Sequence, residues 1–453
     1  MLHSRILAGA AGMLVLCGCS VDIGAPFGLG SSAEPTALAV GDEPFAVKAG
    51  AATLAQGGDA VDAATAMYFT LAVTYPVAAG LGGGGICIVH DPVRNQSEEF
   101  DFLARDAAGG GAYAVPGNVR GFALMQSIYG ALPWQKDVAP AEGYARTGFP
   151  ISRALAARLV AAQDVIRLDA GLAAEFMDES GHVKGEGSIV LAPELADTLS
   201  AIRTGGADAF YDGVAGGKIA AYSSAQGGAI SAPELAAYRA LHGTPRVMQM
   251  GSDYVFLPSS HTGAGAFAGA LLDNLTRAEA TPTGAKSPEA AIIVAVKLTL
   301  DGFGLKSLPN DMGATGFAAT DANGQSVACA VTMNGPFGSG HTALGTGVTL
   351  ARAPSSGDVG LASAFLTPMI AAPSGDGPAD LVGAGAGGPN GSAAIAYALS
   401  RVTHGEEILS RKDMRSTGDA PYDTVNAIVC SDGECAALPD PAANGLGATA
   451  QLP

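Results

Sequence analysis

The chain is short of basic residues. It carries 24 Lys and Arg against 42 Asp and Glu in 453 residues, a formal net charge of −18. That balance excludes nucleic acid and anionic membrane surfaces as partners. Histidine is also sparse. His3, His90, His182, His242, His261, His341 and His404 are scattered without metal-ligand spacing, so no metal and no cofactor is expected. There is no Gly-x-Ser-x-Gly nucleophile elbow and no phosphate loop ending in Gly-Lys-Ser or Gly-Lys-Thr. Past residue 19 no run of 18 uncharged apolar residues occurs, which excludes a membrane-spanning helix in the body of the chain. Cysteine is rare as well: six residues, two of them within the first 19.

What is plentiful is small and apolar. Hydrophobic residues make up 48% of the chain, enough for a sizeable core, and the 64 glycines are about double the usual share. Backbones are therefore expected to approach one another closely. At the start, Arg5 precedes the apolar run Ile6–Leu16, too short to span a bilayer as a helix. Leu16-Cys17-Gly18-Cys19 resembles a bacterial lipobox, so residues 1–19 are expected to be a lipoprotein signal with lipidation at Cys19. An ordinary signal peptide that happens to contain cysteines is the alternative. Ser20 after the lipid site favours, by that resemblance, the periplasmic face of the outer membrane. Residues 20–41, rich in Gly, Ser, Pro and Ala, read as a flexible tether.

Of the remaining cysteines, Cys430 and Cys435 bracket the turn sequence Ser431–Glu434 between strand-like runs, and a disulfide across that hairpin is expected in an oxidising compartment. Cys87 and Cys329 lie in apolar strand contexts and are expected to be free and buried. Glu98-Glu99 and Glu406-Glu407 read as solvated faces.

Helices are expected to about Val73 and at 121–128, 134–147, 152–166, 193–204 and 216–221, with another capped by Ser231 and Glu234. Residues 208–213 read as a turn and 271–286 as a loop. Strands are expected at 86–90, 99–102, 245–257 (as a pair), 316–321, 326–333, 345–350 and 366–370. Gly80-x-Gly82-x-x-Gly85 matches the dinucleotide fingerprint literally but lacks the strand before and helix after it. Gly383-x-Gly385-x-x-Gly388 has both flanks and no partner strand for a compact βαβ unit.

Residues 45–90 carry the most information. Two short helices packed through Ala and Gly join at Gly57-Gly58, with a new start at Asp59, and Tyr75-Pro76 leads into the cluster Gly80–Gly85. Val115–Phe122, Tyr129-Gly130, Pro258–Gly265, Thr320–Gly324 and Gly387-Gly388 follow in order. Over about residues 42–445 the chain resembles the gamma-glutamyltransferase family of self-cleaving N-terminal-nucleophile hydrolases. The resemblance implies an α+β fold, a four-layer αββα sandwich, with a large-subunit-like region 42–313 and a small-subunit-like region 314–453. It also implies a small γ-glutamyl or amino-acid-like ligand. Between Gly265 and Gly313 the chain has far fewer residues than its relatives use.

In that family a Thr with a free α-amine attacks the γ-glutamyl carbonyl, the amine acting as base, and the same hydroxyl cleaves the chain beforehand. The matching position here is Ala314. Thr315 matches a second family Thr and is the alternative nucleophile, and Gly316 stands where a His follows. Thr332 and Asn334 match residues that bond the nucleophile and the substrate's amino-acid end. Gly387 and Gly388 match the oxyanion pair; a tight turn before a helix is the other reading. Arg105 matches the Arg that clamps the substrate carboxylate, although an ungapped count lands on Leu103. The acidic partner of the substrate ammonium falls near Ser356. The paired serines fall on Ala364-Phe365, which places a Phe in the amino-acid pocket. The resemblance thus implies an unprocessed chain with weak or no activity. An active hydrolase or transferase using Thr315, and a non-enzymatic envelope protein, are the alternatives.

Overall fold

The computed structural model of the protein describes residues 37–259, 262–280, 287–406, 408, 411–414, 422–431 and 434–451. Two antiparallel sheets lie face to face. The first has seven strands, in the order Leu446–Thr449, Leu38–Gly41, Ala314–Thr320, Ser326–Thr332, Gly84–Asp91, Gln96–Asp101 and Leu241–Gly243. The second has six: Glu434–Leu438, Thr424–Ser431, Leu381–Ala386, Thr367–Ala372, Asp253–Leu257 and Arg246–Met250.

Strand alternation sorts the side chains into layers. Between the sheets sit Leu38, Val40, Ile88, Ala318, Ala328 and, from the opposing sheet, Ile370, Val382 and Ile428. The opposite face of the first sheet, with Phe317, Ala319 and Val331, packs under the helices Pro44–Ala55 and Ala60–Thr74. The second sheet packs its outer face under Gly263–Ala280 and Pro389–Thr403, and Pro288–Gly302 packs against those two helices. The result is the expected αββα sandwich.

The Ala60–Thr74 helix is buried along its whole length, and small side chains make that possible. Its start is fixed by a capping box in which Asp59 accepts from the Asp62 N–H and Asp62 accepts from the Asp59 N–H. Glu43 caps the preceding helix, accepting from Ala46 N at 2.9 Å.

Several expectations are corrected. The helix Gly263–Ala280 runs through most of the expected loop, because Phe267, Ala268, Leu271, Leu272 and Leu275 form one buried face at helical spacing; 281–286 lie outside the described residues. The helix that starts at Pro193 breaks at Gly206 (φ +70°), close to the expected end, and residues 207–211 form a short helical segment instead of a free turn. Ser231 makes no side-chain cap, since Glu234 is engaged elsewhere, accepting from Ala108 N at 2.6 Å. Of the expected 345–350 strand, Val348–Thr349 pairs with Thr342–Ala343 and Leu350 makes one parallel bridge to Gly82. The end of the expected tether, Leu38–Gly41, is a strand between two others because Leu38 and Val40 enter the inter-sheet core. Glu99 is buried and accepts from Ser259 N at 2.7 Å; it is not a solvated charge.

The largest correction concerns cysteine. Cys87 and Cys329 are directly opposed on neighbouring strands of the first sheet and form a disulfide, as do Cys430 and Cys435 across their hairpin.

Candidate active site

Ala314 opens the third strand of the first sheet, with the helix Pro389–Thr403 and the turn before it across the gap. The residues just ahead of it are tied down one by one. Asp311 Oδ1 accepts from Arg158 Nη2 at 2.7 Å and from Gly313 N at 2.8 Å. Arg158 is itself buried, donates to the Tyr75 hydroxyl at 3.3 Å, and has the Tyr422 ring 5.3 Å from its guanidinium carbon. Gly313 adopts φ +59°, and a Cβ there would strike the Gly335 carbonyl oxygen, so only glycine fits.

Thr332, opposite Ala314 in the ladder, holds the peptide carbonyls. Its Oγ1 lies 3.1 Å from the Gly313 oxygen and 3.2 Å from the Met312 oxygen, and accepts from Asn334 N at 2.9 Å. Met333 N donates to the same Gly313 oxygen at 2.8 Å. The Gly313 carbonyl thus accepts from Met333 N, and the single Thr332 hydroxyl proton is shared between it and the Met312 carbonyl. The following side chain is a methyl group.

Thr315 is fully buried, and its hydroxyl donates to Asp42 Oδ2 at 2.6 Å. Asp42 Oδ1 accepts from Asn426 Nδ2 at 2.7 Å, and the same amide donates to the Gly316 carbonyl at 2.9 Å. Burial raises the Asp42 carboxyl above the usual carboxylate range, opposed by the hydrogen bonds from Thr315 and Asn426. Three distant segments thus converge on one carboxylate, and nothing in their local sequence announces it. Asn334 sits at φ +55°, donates through Nδ2 to the Arg352 carbonyl, and leaves its buried Oδ1 without a partner.

Gly387 and Gly388 connect the strand Leu381–Ala386 to the helix Pro389–Thr403. Gly387 has φ +92°, pressed against the Tyr422 carbonyl. The Asp423 carboxylate lies against Gly388 and accepts from Asn390 N at 3.0 Å.

The cleft itself is filled. Ala314 packs with Ile86, Ala264, Ala330, Leu366, Ala384 and Ala386, and Leu103 closes the cluster. A Cβ on Gly316 would fall 2.9 Å from the Ala384 Cβ, so a His at 316 has no room. Arg105 is exposed, its guanidinium 4.8 Å from the Tyr238 ring centroid. Of the two residues that spacing left open, Leu103 packs against the apolar cluster that contains Ala314. Ser356 bonds the Ala353 carbonyl at 2.6 Å. Phe365 does not enter an amino-acid pocket; it packs edge to face on Phe267 in the helix-covered core of the second sheet. Cys19 lies outside the described residues.

These features define a chain with the N-terminal-nucleophile hydrolase sandwich and an alanine at position 314, where the family resemblance places the nucleophile. Residues 46–303 match the gamma-glutamyltranspeptidase family model, and the chain belongs to that family. It is 33% identical over 252 residues to the glutathione hydrolase proenzyme of Pseudomonas aeruginosa, covering 51% of this chain and 44% of that protein. It is also 33% identical over 222 residues to the glutathione hydrolase proenzyme of Escherichia coli, covering 44% of this chain and 38% of that one. The matched segment therefore spans less than half the length of these relatives. Among solved structures, cephalosporin acylase from Bacillus halodurans superposes with a TM-score of 0.74 at 18% identity, covering 94% of this chain and 98% of that one. Helicobacter pylori gamma-glutamyltranspeptidase superposes with a TM-score of 0.54 at 24% identity, covering 61% of this chain and 84% of that one. At these identities the structural likeness establishes the fold.

Proposed function

We propose that this family member stays a single uncut chain with weak or no activity on γ-glutamyl compounds, held in the bacterial envelope by a lipid on Cys19. One observation carries the first half. The carbonyl held by Thr332 Oγ1 and Met333 N belongs to Gly313, and the residue after it, Ala314, has no hydroxyl to attack it. Without cleavage no α-amine is released, so nucleophile and base are missing together. Leu103, packed against the apolar cluster that contains Ala314, offers no charge to an anionic substrate. Two disulfides fit an oxidising compartment and support export.

The alternative nucleophile is Thr315, and its hydrogen bond to Asp42 is the observation in its favour. A denaturing gel and a chromogenic γ-glutamyl anilide separate the two readings. One band and no glutamate release are expected of the wild type. Two bands, anilide turnover, and loss of both in Thr315→Ala would replace the inactive reading with the Thr315 enzyme.

A further inference from the structure

The helices Pro288–Gly302 and Pro389–Thr403 leave a groove between them, on the outer face of the second helix layer, with a volume of about 460 Å³. That lies toward the small end of ligand pockets, which run from about 300 to 1,000 Å³. It offers room for one slender molecule. Its walls are aliphatic: Ile292, Val296 and Leu300 on one side, Leu305 past the turn, and Ala393 opposite. The exposed side of the first helix continues this character, with Ile293 and Leu298 each 51% exposed. A solvent-facing helix normally places polar residues there.

The polar groups at the rim are Lys297, Lys306, Asp301 and Asn390. Two ammonium groups against one carboxylate make a basic mouth on a chain whose net charge is −18. Neither lysine forms an ion pair with another of the described residues. An unpaired cation at the mouth of an apolar slot selects a ligand with the opposite arrangement, an anionic head on an unbranched apolar tail. We infer that this groove binds a single-chain fatty-acid carboxylate, its tail along Val296 and Leu300 and its head between Lys297 and Lys306. The groove has room for one chain, and so favours a free acid over a diacyl lipid.

The test is calorimetric titration of the full-length protein with dodecanoate. Saturable one-to-one binding is expected, with dodecanol weaker and dodecyltrimethylammonium weaker still. Val296→Trp, which fills the slot from a half-exposed position, should lower affinity by about tenfold or more. Lys297→Glu with Lys306→Glu should lower it by a similar factor and abolish its salt dependence. Circular dichroism confirms that the variants fold. Absence of saturable binding, equal affinity for the trimethylammonium amphiphile, or full affinity in Val296→Trp would overturn the proposal. So would a dimer in sedimentation that Val296→Trp disperses, because a second copy would then be the occupant.

Discussion

Removing the disulfide between Cys87 and Cys329 should be far more damaging than removing the one between Cys430 and Cys435. The first closes a loop of 242 residues and the second a loop of 5. The chain-entropy expression then gives about 5.5 kcal/mol for the long loop and about 2 kcal/mol for the short one. The native state points the same way. Cys87 and Cys329 are fully buried under the Ala60–Thr74 helix, whereas Cys430 and Cys435 are half-buried at a sheet edge. The double variants Cys87→Ala/Cys329→Ala and Cys430→Ala/Cys435→Ala should be unfolded in urea and followed by fluorescence of Trp134, the single tryptophan. The long-loop variant should lose about 4–6 kcal/mol, and its denaturant slope should rise as the unfolded chain expands. The hairpin variant should lose about 2 kcal/mol or less. In the folded wild type a mild reductant should open the hairpin bridge first. Equal losses for the two variants, or a loss below about 2 kcal/mol for the long-loop pair, would refute the reasoning.

Arg158→Met should cost about 3–5 kcal/mol in a thermal or urea melt, because it strands Asp311 beside a buried junction without its cation. Asp137 is fully buried beside Asp62; burial first and the charge of Asp62 second push it up to about 9. The folded state therefore holds this proton more tightly than the unfolded one, and the stability it confers is lost as pH rises towards 9. Asp137→Asn should accordingly melt above wild type, with the gap widening by about 1.4 kcal/mol per pH unit between pH 5 and pH 9; a gap independent of pH would contradict this. Metabolic labelling with a palmitate analogue should mark the wild type and not Cys19→Ala, and label retained in the variant would rule out that anchor site.

The sequence was most legible where periodicity and end signals agree. The helix Trp134–Thr147 was expected at those residues, and the helix pair around Gly57-Gly58 follows from its caps. It was least legible where partners are far apart along the chain. Cys87 and Cys329 become neighbours only through the register of two strands, which no local pattern reveals. The same holds for Asp42, Thr315 and Asn426, gathered from three segments around one carboxylate. Leu103 and Arg105 lie two residues apart, and counting residues left both possible. The fold separates them, packing Leu103 on the apolar cluster that contains Ala314 and setting Arg105 on Tyr238.

The strand Leu38–Gly41 lies between Leu446–Thr449 and Ala314–Thr320, and Ala450 N donates to the Ala37 carbonyl at 2.8 Å. The beginning and end of the described chain therefore meet as an antiparallel pair that a short turn could join. A circular permutant running 314–450, then turn, then 37–313 would keep every strand in its sheet. It would present position 314 as a genuine amino terminus without any self-cleavage. With Thr in place of Ala314, such a molecule separates two requirements that a proenzyme merges, the scission that frees the amine and the pocket that uses it. Turnover would trace the proposed inactivity to the missing scission, and silence would trace it to the pocket around position 314 itself.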